Sequence, residues 1–301
     1  MKAVTAPILA AIKLIRPKQW IKNGFVFAPL VFAKELFQPD PLLLTVRTFA
    51  AFCLTASMVY IINDMIDVEA DRAHPKKRLR PLAARTISVP AAFGILALLL
   101  VADVFLVTGM PEKFLFLLGA YFLMNLAYTF KLKEIFLLDV FIIAAGFMLR
   151  VLGGAYAISV YVSSWLILCT LFISLFLGFA KRRGEIVAMQ AAGAMPERKV
   201  LQHYRLGVLD QMLTITAAGT VISYALYTVA PRTVTVFGTD KLIYTTVFVM
   251  YGVFRYMHLI HTTEAVENPA AVVSSDFPII ANVLLWIASC VVLIYFTGIV
   301  G

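Results

Sequence analysis

Residues 42–72 read LLLTVRTFAAFCLTASMVYIINDMIDVEADR. The first part, 42–62, is an apolar run whose only charge is Arg47, and it has the roughly 20-residue length that crosses a bilayer as a helix. It leads without a break into Asn63-Asp64-Met65-Ile66-Asp67-Val68-Glu69-Ala70-Asp71-Arg72. A helix continued through this stretch sets Asp64, Asp67 and Asp71 at i, i+3 and i+7 on one face and turns Glu69 to another. The stretch therefore predicts a membrane-crossing helix that delivers three carboxylates to one membrane surface.

The rest of the chain extends that pattern. Its 301 residues are 61% hydrophobic and 14% charged, against roughly 45–50% and about 25% in soluble domains. That composition excludes an ordinary soluble enzyme and predicts an all-α, polytopic membrane bundle forming a single domain over 1–301. Windows of about 19 residues place nine transmembrane helices at 20–36, 42–62, 88–109, 114–130, 135–157, 163–180, 207–229, 241–260 and 279–299. An amphipathic helix at 5–17, with Ile8, Ile12 and Ile15 on one face, is expected to lie in the interface. It does not read as a signal peptide, because Lys13 interrupts it and no small-residue cleavage site follows. Cys53, Cys169 and Cys290 all fall in apolar spans without paired spacing and read as packing residues.

Lys and Arg fall on alternate connections. Arg16, Lys18 and Lys22, then Arg72 to Arg85, Lys131 and Lys133, and Lys181 to Arg205 lie on one side, while the other holds only Lys34, Lys113, Arg232 and Lys241. The positive-inside rule then puts the N-terminus in the cytoplasm and, with an odd number of helices, the C-terminus outside. The net charge of +9 is absorbed by this asymmetry and does not point to nucleic acid. Three cytoplasmic segments, 63–87, 181–206 and 261–278, hold most of the polar sequence and are the expected active-site loops.

Three aligned carboxylates repel one another unless a cation sits among them. Mg²⁺ suits hard oxygen ligands and commonly binds through one or two carboxylates plus substrate phosphates. Arg72 and the run His74-Pro75-Lys76-Lys77-Arg78-Leu79-Arg80-Pro81 follow directly. Carboxylates for Mg²⁺ beside cations for phosphate are the parts needed to hold a diphosphate and let it leave. Taken singly, the basic residues read equally well as topology signals.

Asn63, Asp64, Asp67 and Asp71 at the cytoplasmic end of the second span resemble the first aspartate-rich motif of the UbiA superfamily of membrane prenyltransferases, which binds a Mg²⁺-diphosphate. The second aspartate motif of that superfamily is missing: no aspartate occurs between Asp139 and Asp210, and Lys181-Arg182-Arg183-Gly184-Glu185 stands in the corresponding loop. With Ile15-Arg16-Pro17-Lys18-Gln19-Trp20-Ile21-Lys22-Asn23, these segments resemble the decaprenyl-phosphate phosphoribosyltransferase branch. The resemblance implies a bacterial plasma-membrane enzyme that moves 5-phosphoribose from phosphoribosyl pyrophosphate to a polyprenyl phosphate, toward cell-wall arabinan precursors. It implies Mg²⁺ held by Asn63, Asp64 and Asp67, with Asp71 as a third ligand or a partner to the ligands. A donor with phosphates at both ends, and a phosphorylated acceptor, agree with more cations and fewer aspartates.

Lys181, Arg182 and Arg183 are candidates for the 5-phosphate or the lipid phosphate, with Glu185 beside them, and a positive-inside anchor is the alternative. Lys18, Lys22, Lys131 and Arg255 complete the cationic candidates. Asp139 and Arg150 share a face of the fifth span; the pocket is expected for Asp139, and either the pocket or a structural ion pair for Arg150. The segment 261–278 is either a lid or a plain connection. Gly146, Gly153 and Gly154 suit close helix contacts, within one subunit or in a homo-oligomer. Two other readings stand beside this one: a prenyltransferase acting on an aromatic acceptor, which shares the first motif, and an anionic-solute transporter.

Overall fold

The computed structural model describes residues 2–74, 76–191, 193, 199–262 and 275–296, with side chains from residue 8 onward, and every regular element among them is helical. In chain order these are α1 (Lys2–Ile15), a 3-10 segment (Pro17–Phe27), α2 (Ala28–Phe32), α3 (Pro39–Ile66), α4 (Val68–Ala73), α5 (Val89–Val107), α6 (Glu112–Phe130), α7 (Leu138–Ala157), α8 (Ser164–Ala191), α9 (Leu206–Val229), α10 (Pro231–Phe237), α11 (Thr246–Thr262) and α12 (Phe277–Tyr295). Among the described residues, α3, α5, α6, α7, α8, α9 and α12 are long and apolar enough to cross a membrane, seven helices in all.

The other two expected spans take a different form. Residues 20–36 are broken into the 3-10 segment and the short α2, with Gly24 and Pro29 in that stretch. Residues 241–260 begin as a 3-10 turn, Lys241–Thr245, before the 17-residue α11. The helix expected to stop at 180 runs on to Ala191, so Lys181, Arg182, Arg183 and Glu185 are helical and not in a loop. Two contacts support the extra turns: Arg182 and Glu185 pair at i, i+3 within the helix, and Arg182 is bound by Asp139 on α7. Most of 261–278, including Glu267 and Asn268, lies outside the described residues.

The chain divides into two compact units. The first comprises 1–30, 36–130 and 149–160. Its centre is α3, where Phe52 is wholly buried and meets Phe114 and Tyr121 edge-on, with ring centroids 6.2 and 5.2 Å apart. Packing of this kind, together with small residues at helix contacts, holds helices in a bilayer, where the lipid is as apolar as the side chains. Gly154 on α7 supplies the tightest approach: a Cβ there would stand 2.2 Å from the backbone oxygen of Val26, so only glycine admits the 3-10 segment at that distance. Arg47 closes α5 by donating from Nε and Nη2 to Leu106 O at 3.2 and 2.7 Å, and from Nη2 to Thr108 O at 2.8 Å, which satisfies carbonyls left open at the helix end. In α1, Ala10 and Leu14 face the core while Ile8, Leu9 and Ile12 stay exposed.

The second unit comprises 31–35, 131–148 and 161–301. Its larger core packs Phe176, Phe179, Leu209, Leu213 and Tyr256, with the Phe176 and Tyr256 rings 5.4 Å apart. A smaller core gathers Tyr227, Phe237, Leu242, Cys290 and Ile294. Beside it, the half-buried Trp286 donates from Nε1 to the buried Tyr224 hydroxyl at 2.9 Å, so both polar groups find partners.

Candidate active site

In the first unit the expected helical extension through the acidic motif is interrupted: α3 ends at Ile66, Asp67 forms the joint, and α4 restarts at Val68. Asp71 N still donates to Asp67 O at 2.8 Å, so the turn is tightened and not lost. Asp64 and Asp71 nevertheless converge. Arg80 Nη1 donates to Asp71 Oδ2 at 2.7 Å and to Asp64 Oδ1 at 3.1 Å, and both carboxylates are buried. Arg16 Nη2 donates to the same Asp64 Oδ1. The other oxygen, Asp64 Oδ2, is buried with no hydrogen-bond partner among the described residues. An unmet carboxylate oxygen in the interior costs free energy and marks a place where a ligand is expected.

Backbone geometry aims these groups. Arg16 sits in the left-handed region at φ 53°, just before Pro17, a conformation that a non-glycine residue holds only where the surroundings impose it. Its guanidinium lies 5.0 Å from the Tyr60 ring centroid. After α4, His74 Nδ1 accepts from the backbone N–H groups of Lys76 and Lys77, both at 3.1 Å, and folds the basic run back toward the motif. Deeper in the unit, Arg150 donates from Nε to Asn23 Oδ1 and from Nη2 to the Tyr121 hydroxyl, each at 2.6 Å, and is buried.

The second unit holds its own polar cluster. Arg182 and Asp139 are both wholly buried, with Nε donating to Asp139 Oδ2 at 2.6 Å. Asp139 Oδ1 accepts from the Tyr204 hydroxyl at 2.7 Å. Burial, and then the Asp139 carboxylate, push the Tyr204 phenol well above its ordinary range and keep it a neutral donor. Arg182 Nη1 also reaches Glu185 Oε2. Arg183 donates from Nε to Asp210 Oδ1 at 2.7 Å and from Nη1 to Ile260 O at 2.8 Å. Arg255 pairs with Asp276, Nη2 to Oδ2 at 2.9 Å, while Asp276 caps α12 by accepting from Ile279 N at 3.0 Å.

The sequence pattern of the UbiA prenyltransferase family matches residues 25–275. The chain belongs to this family. It is 37% identical over 220 residues to the decaprenyl-phosphate phosphoribosyltransferase of Mycolicibacterium smegmatis, covering 72% of this chain and 69% of that one. It is 38% identical over 221 residues to the protein of the same name in Corynebacterium glutamicum, covering 72% and 66%. Its fold is similar to a solved UbiA homolog from Archaeoglobus fulgidus bound to GPP and Mg²⁺, with a TM-score of 0.70 and 18% identity over 95% of this chain and 99% of that one. The all-helical expectation is therefore met by a UbiA-like fold.

Asn63, Asp64, Asp67 and Asp71, expected from the sequence as metal ligands, lie in one turn-broken segment, with Asp64 and Asp71 joined through Arg80. Among the described residues, no group of three or more His, Cys, Asp or Glu side chains is poised to hold a metal alone. Lys18, Lys76, Arg78 and Lys131 are exposed, and Arg72 pairs with the exposed Glu69. Lys77 is half-buried beside the His74 turn. Asp139 and Arg150, expected together, reach different partners in the two units. Tyr121, Tyr204 and Tyr60 were not legible as site residues, since a tyrosine in an apolar run carries no signal of the charge it will meet. Asn23 and Arg16 stood in the quoted Arg16–Asn23 segment, and that segment was the available clue.

Proposed function

We propose that this UbiA-family protein transfers 5-phosphoribose from phosphoribosyl pyrophosphate to a polyprenyl phosphate, decaprenyl phosphate by analogy with its named relatives. The observation that carries the proposal is the composition of the polar clusters: one aspartate motif with an unmet buried oxygen on Asp64, and cations where the superfamily's second aspartate motif would stand. The names of the relatives support the same reading.

The residues fit a magnesium-diphosphate. Asp64 and Asp71 offer hard oxygen donors held close by Arg80, and the unmet Asp64 Oδ2 needs a positive partner. Asn63, Asp64, Asp67 and Asp71 would hold the metal, and two carboxylates plus substrate phosphates suit a site without three clustered ligands. When bound, the metal supplies charge neutralisation to the departing diphosphate. The reaction breaks the bond between the ribose anomeric carbon and the diphosphate oxygen, whose electron pair leaves with diphosphate. An oxygen of the lipid phosphate, already an anion, forms the new bond from the opposite face. No proton has to move, so the chain's task is positioning and electrostatic stabilisation. Single displacement inverts the anomeric centre.

Topology follows the charge pattern: an N-terminus in the cytoplasm, the site at the cytoplasmic surface of a bacterial plasma membrane, and nine passages. The seven long helices would be joined in crossing by the 17–32 and 241–262 segments. The cations from Arg72 to Arg80 supply countercharge in the first unit, while in the second Arg182 and Arg183 are held by Asp139 and Asp210.

The test is a donor panel on purified protein in liposomes. The proposal predicts product from phosphoribosyl pyrophosphate with a polyprenyl phosphate, and none from a prenyl diphosphate with an aromatic acid. The reverse pattern would return the chain to the prenyl-transferring members of its family.

A further inference from the structure

The Lys22 ammonium is the odd charge of the first unit. Arg16 and Arg80 share Asp64, and Arg80 also holds Asp71. Arg150 is engaged by the uncharged oxygens of Asn23 and Tyr121. Lys22, half-buried and next to Asn23, has neither a hydrogen-bond nor an ion-pair partner among the described residues. The two charges that act on it most are Arg150 and Arg16, and both repel it. Three cations brought together in a partly desolvated place, one of them unpartnered, are unfavourable unless an anion completes the arrangement.

The arrangement is also held in place. Gly154 lies one turn beyond Arg150 on α7 and accepts the backbone of Val26 at a distance no side chain allows. Val26 and Asn23 belong to the same 3-10 segment as Lys22, so this contact fixes Lys22 relative to Arg150. The guanidiniums rest on aromatic faces, Arg150 over Tyr121 at 4.7 Å and Arg16 over Tyr60 at 5.0 Å. By contrast, Arg182 is wholly buried against Asp139 and Arg183 is bound to Asp210 and Ile260 O, so both of those cations already have engaged partners in the second unit.

We propose that Lys22, with Arg16 and Arg150, forms a binding site for a phosphate monoester, adjoining the aspartate motif through the Arg16–Asp64 pair but distinct from the groups that hold the diphosphate. The inference rests on the phosphoribosyl-transfer reading for the identity of that monoester: the 5-phosphate of the donor or the phosphate of the lipid acceptor. Both present the same dianionic group, and Lys22 meets it as a point charge within the electrostatic reach of two guanidiniums.

Two measurements on the purified full chain in detergent test it. The first is thermal unfolding with inorganic phosphate, against chloride at equal ionic strength. Phosphate should raise the midpoint of the wild type and of Lys22→Arg, and leave Lys22→Met unmoved. Without phosphate, Lys22→Met should unfold no earlier than wild type, because a charge among like charges has been removed; Lys22→Gln repeats the test with a polar side chain. Equal phosphate shifts in all variants, no shift in any, or an earlier midpoint for both uncharged variants without phosphate would overturn the site. The second measurement is steady-state transfer. Lys22→Met should raise one KM by about tenfold or more, the scale of one lost charge-assisted contact. A rise for phosphoribosyl pyrophosphate assigns the 5-phosphate, and a rise for the polyprenyl phosphate assigns the lipid. Unchanged KM values for both overturn the proposal. If wild type transfers no phosphoribose, the functional reading fails while the phosphate shift still decides the subsite.

Discussion

Arg182 Nε and Asp139 Oδ2 stand 2.6 Å apart, and neither side chain is exposed at all. Arg182 lies on α8 and Asp139 on α7, so one hydrogen-bonded charge pair ties two candidate spans within the second unit. Tyr204 adds a second donor to the same carboxylate, and Glu185 takes the far side of the guanidinium. Breaking such a pair from one side leaves a buried charge unmet, at a cost of about 3–5 kcal/mol. Arg182→Met and Asp139→Leu should each lower the unfolding midpoint in detergent severely. The double substitution should recover much of the loss, because no buried charge then remains. A double variant as unstable as the sum of the singles would count against the pair.

The second prediction concerns Gly154. A Cβ 2.2 Å from Val26 O must push the 3-10 segment away, and the Arg150–Asn23 hydrogen bond is anchored there. Gly154→Val should cost about 1–3 kcal/mol as overpacking does, and should depress transfer as well. Gly119, where an added Cβ meets nothing within 4 Å, is the control, and Gly119→Ala should leave both stability and transfer within error.

A third prediction follows from Asp276. The hydrogen bond from Arg255 holds its carboxyl below the ordinary carboxylate range. A lowered folded pKa means that the clamp stabilises above the unfolded value and is lost as pH falls through the folded one, below about 4. Asp276→Asn keeps a side chain able to cap α12 but removes the charge. Its midpoint should fall below that of wild type by a constant amount between pH 5 and 8. The two proteins should converge on acidification. A difference that varied across neutral pH would assign the clamp to another group.

Much of the fold was legible because periodic apolar runs depend only on near neighbours. The helices expected at 42–62, 88–109, 114–130 and 207–229 correspond to α3, α5, α6 and α9 within a few residues. The reading failed where the backbone is not α-helical: residues 20–27, which carry Lys22 and Asn23 among their apolar side chains, form a 3-10 segment that meets α7 at Gly154, far along the chain. It also failed at Lys181–Glu185, where three cations suggest a loop until Asp139 is seen beneath them. Asp64 and Asp71 were predicted to share a face and do converge, but through Arg80 and across a helix break. Partners separated by 127 residues, such as Asn23 and Arg150, leave no pattern in a single sequence.

The central claim is that the Asp64 motif assists loss of diphosphate from a phosphoribosyl donor. The most direct measurement follows label from the ribose of phosphoribosyl pyrophosphate into a polyprenyl phosphate, with Mg²⁺, with chelator, and with Asp64→Asn. The account predicts label in the lipid phase that chelation abolishes and Mg²⁺ restores, and that Asp64→Asn reduces by about 10²–10³-fold, the usual loss when one electrostatic stabiliser is removed. Label transferred at an undiminished rate by Asp64→Asn, or in the presence of chelator, would contradict it.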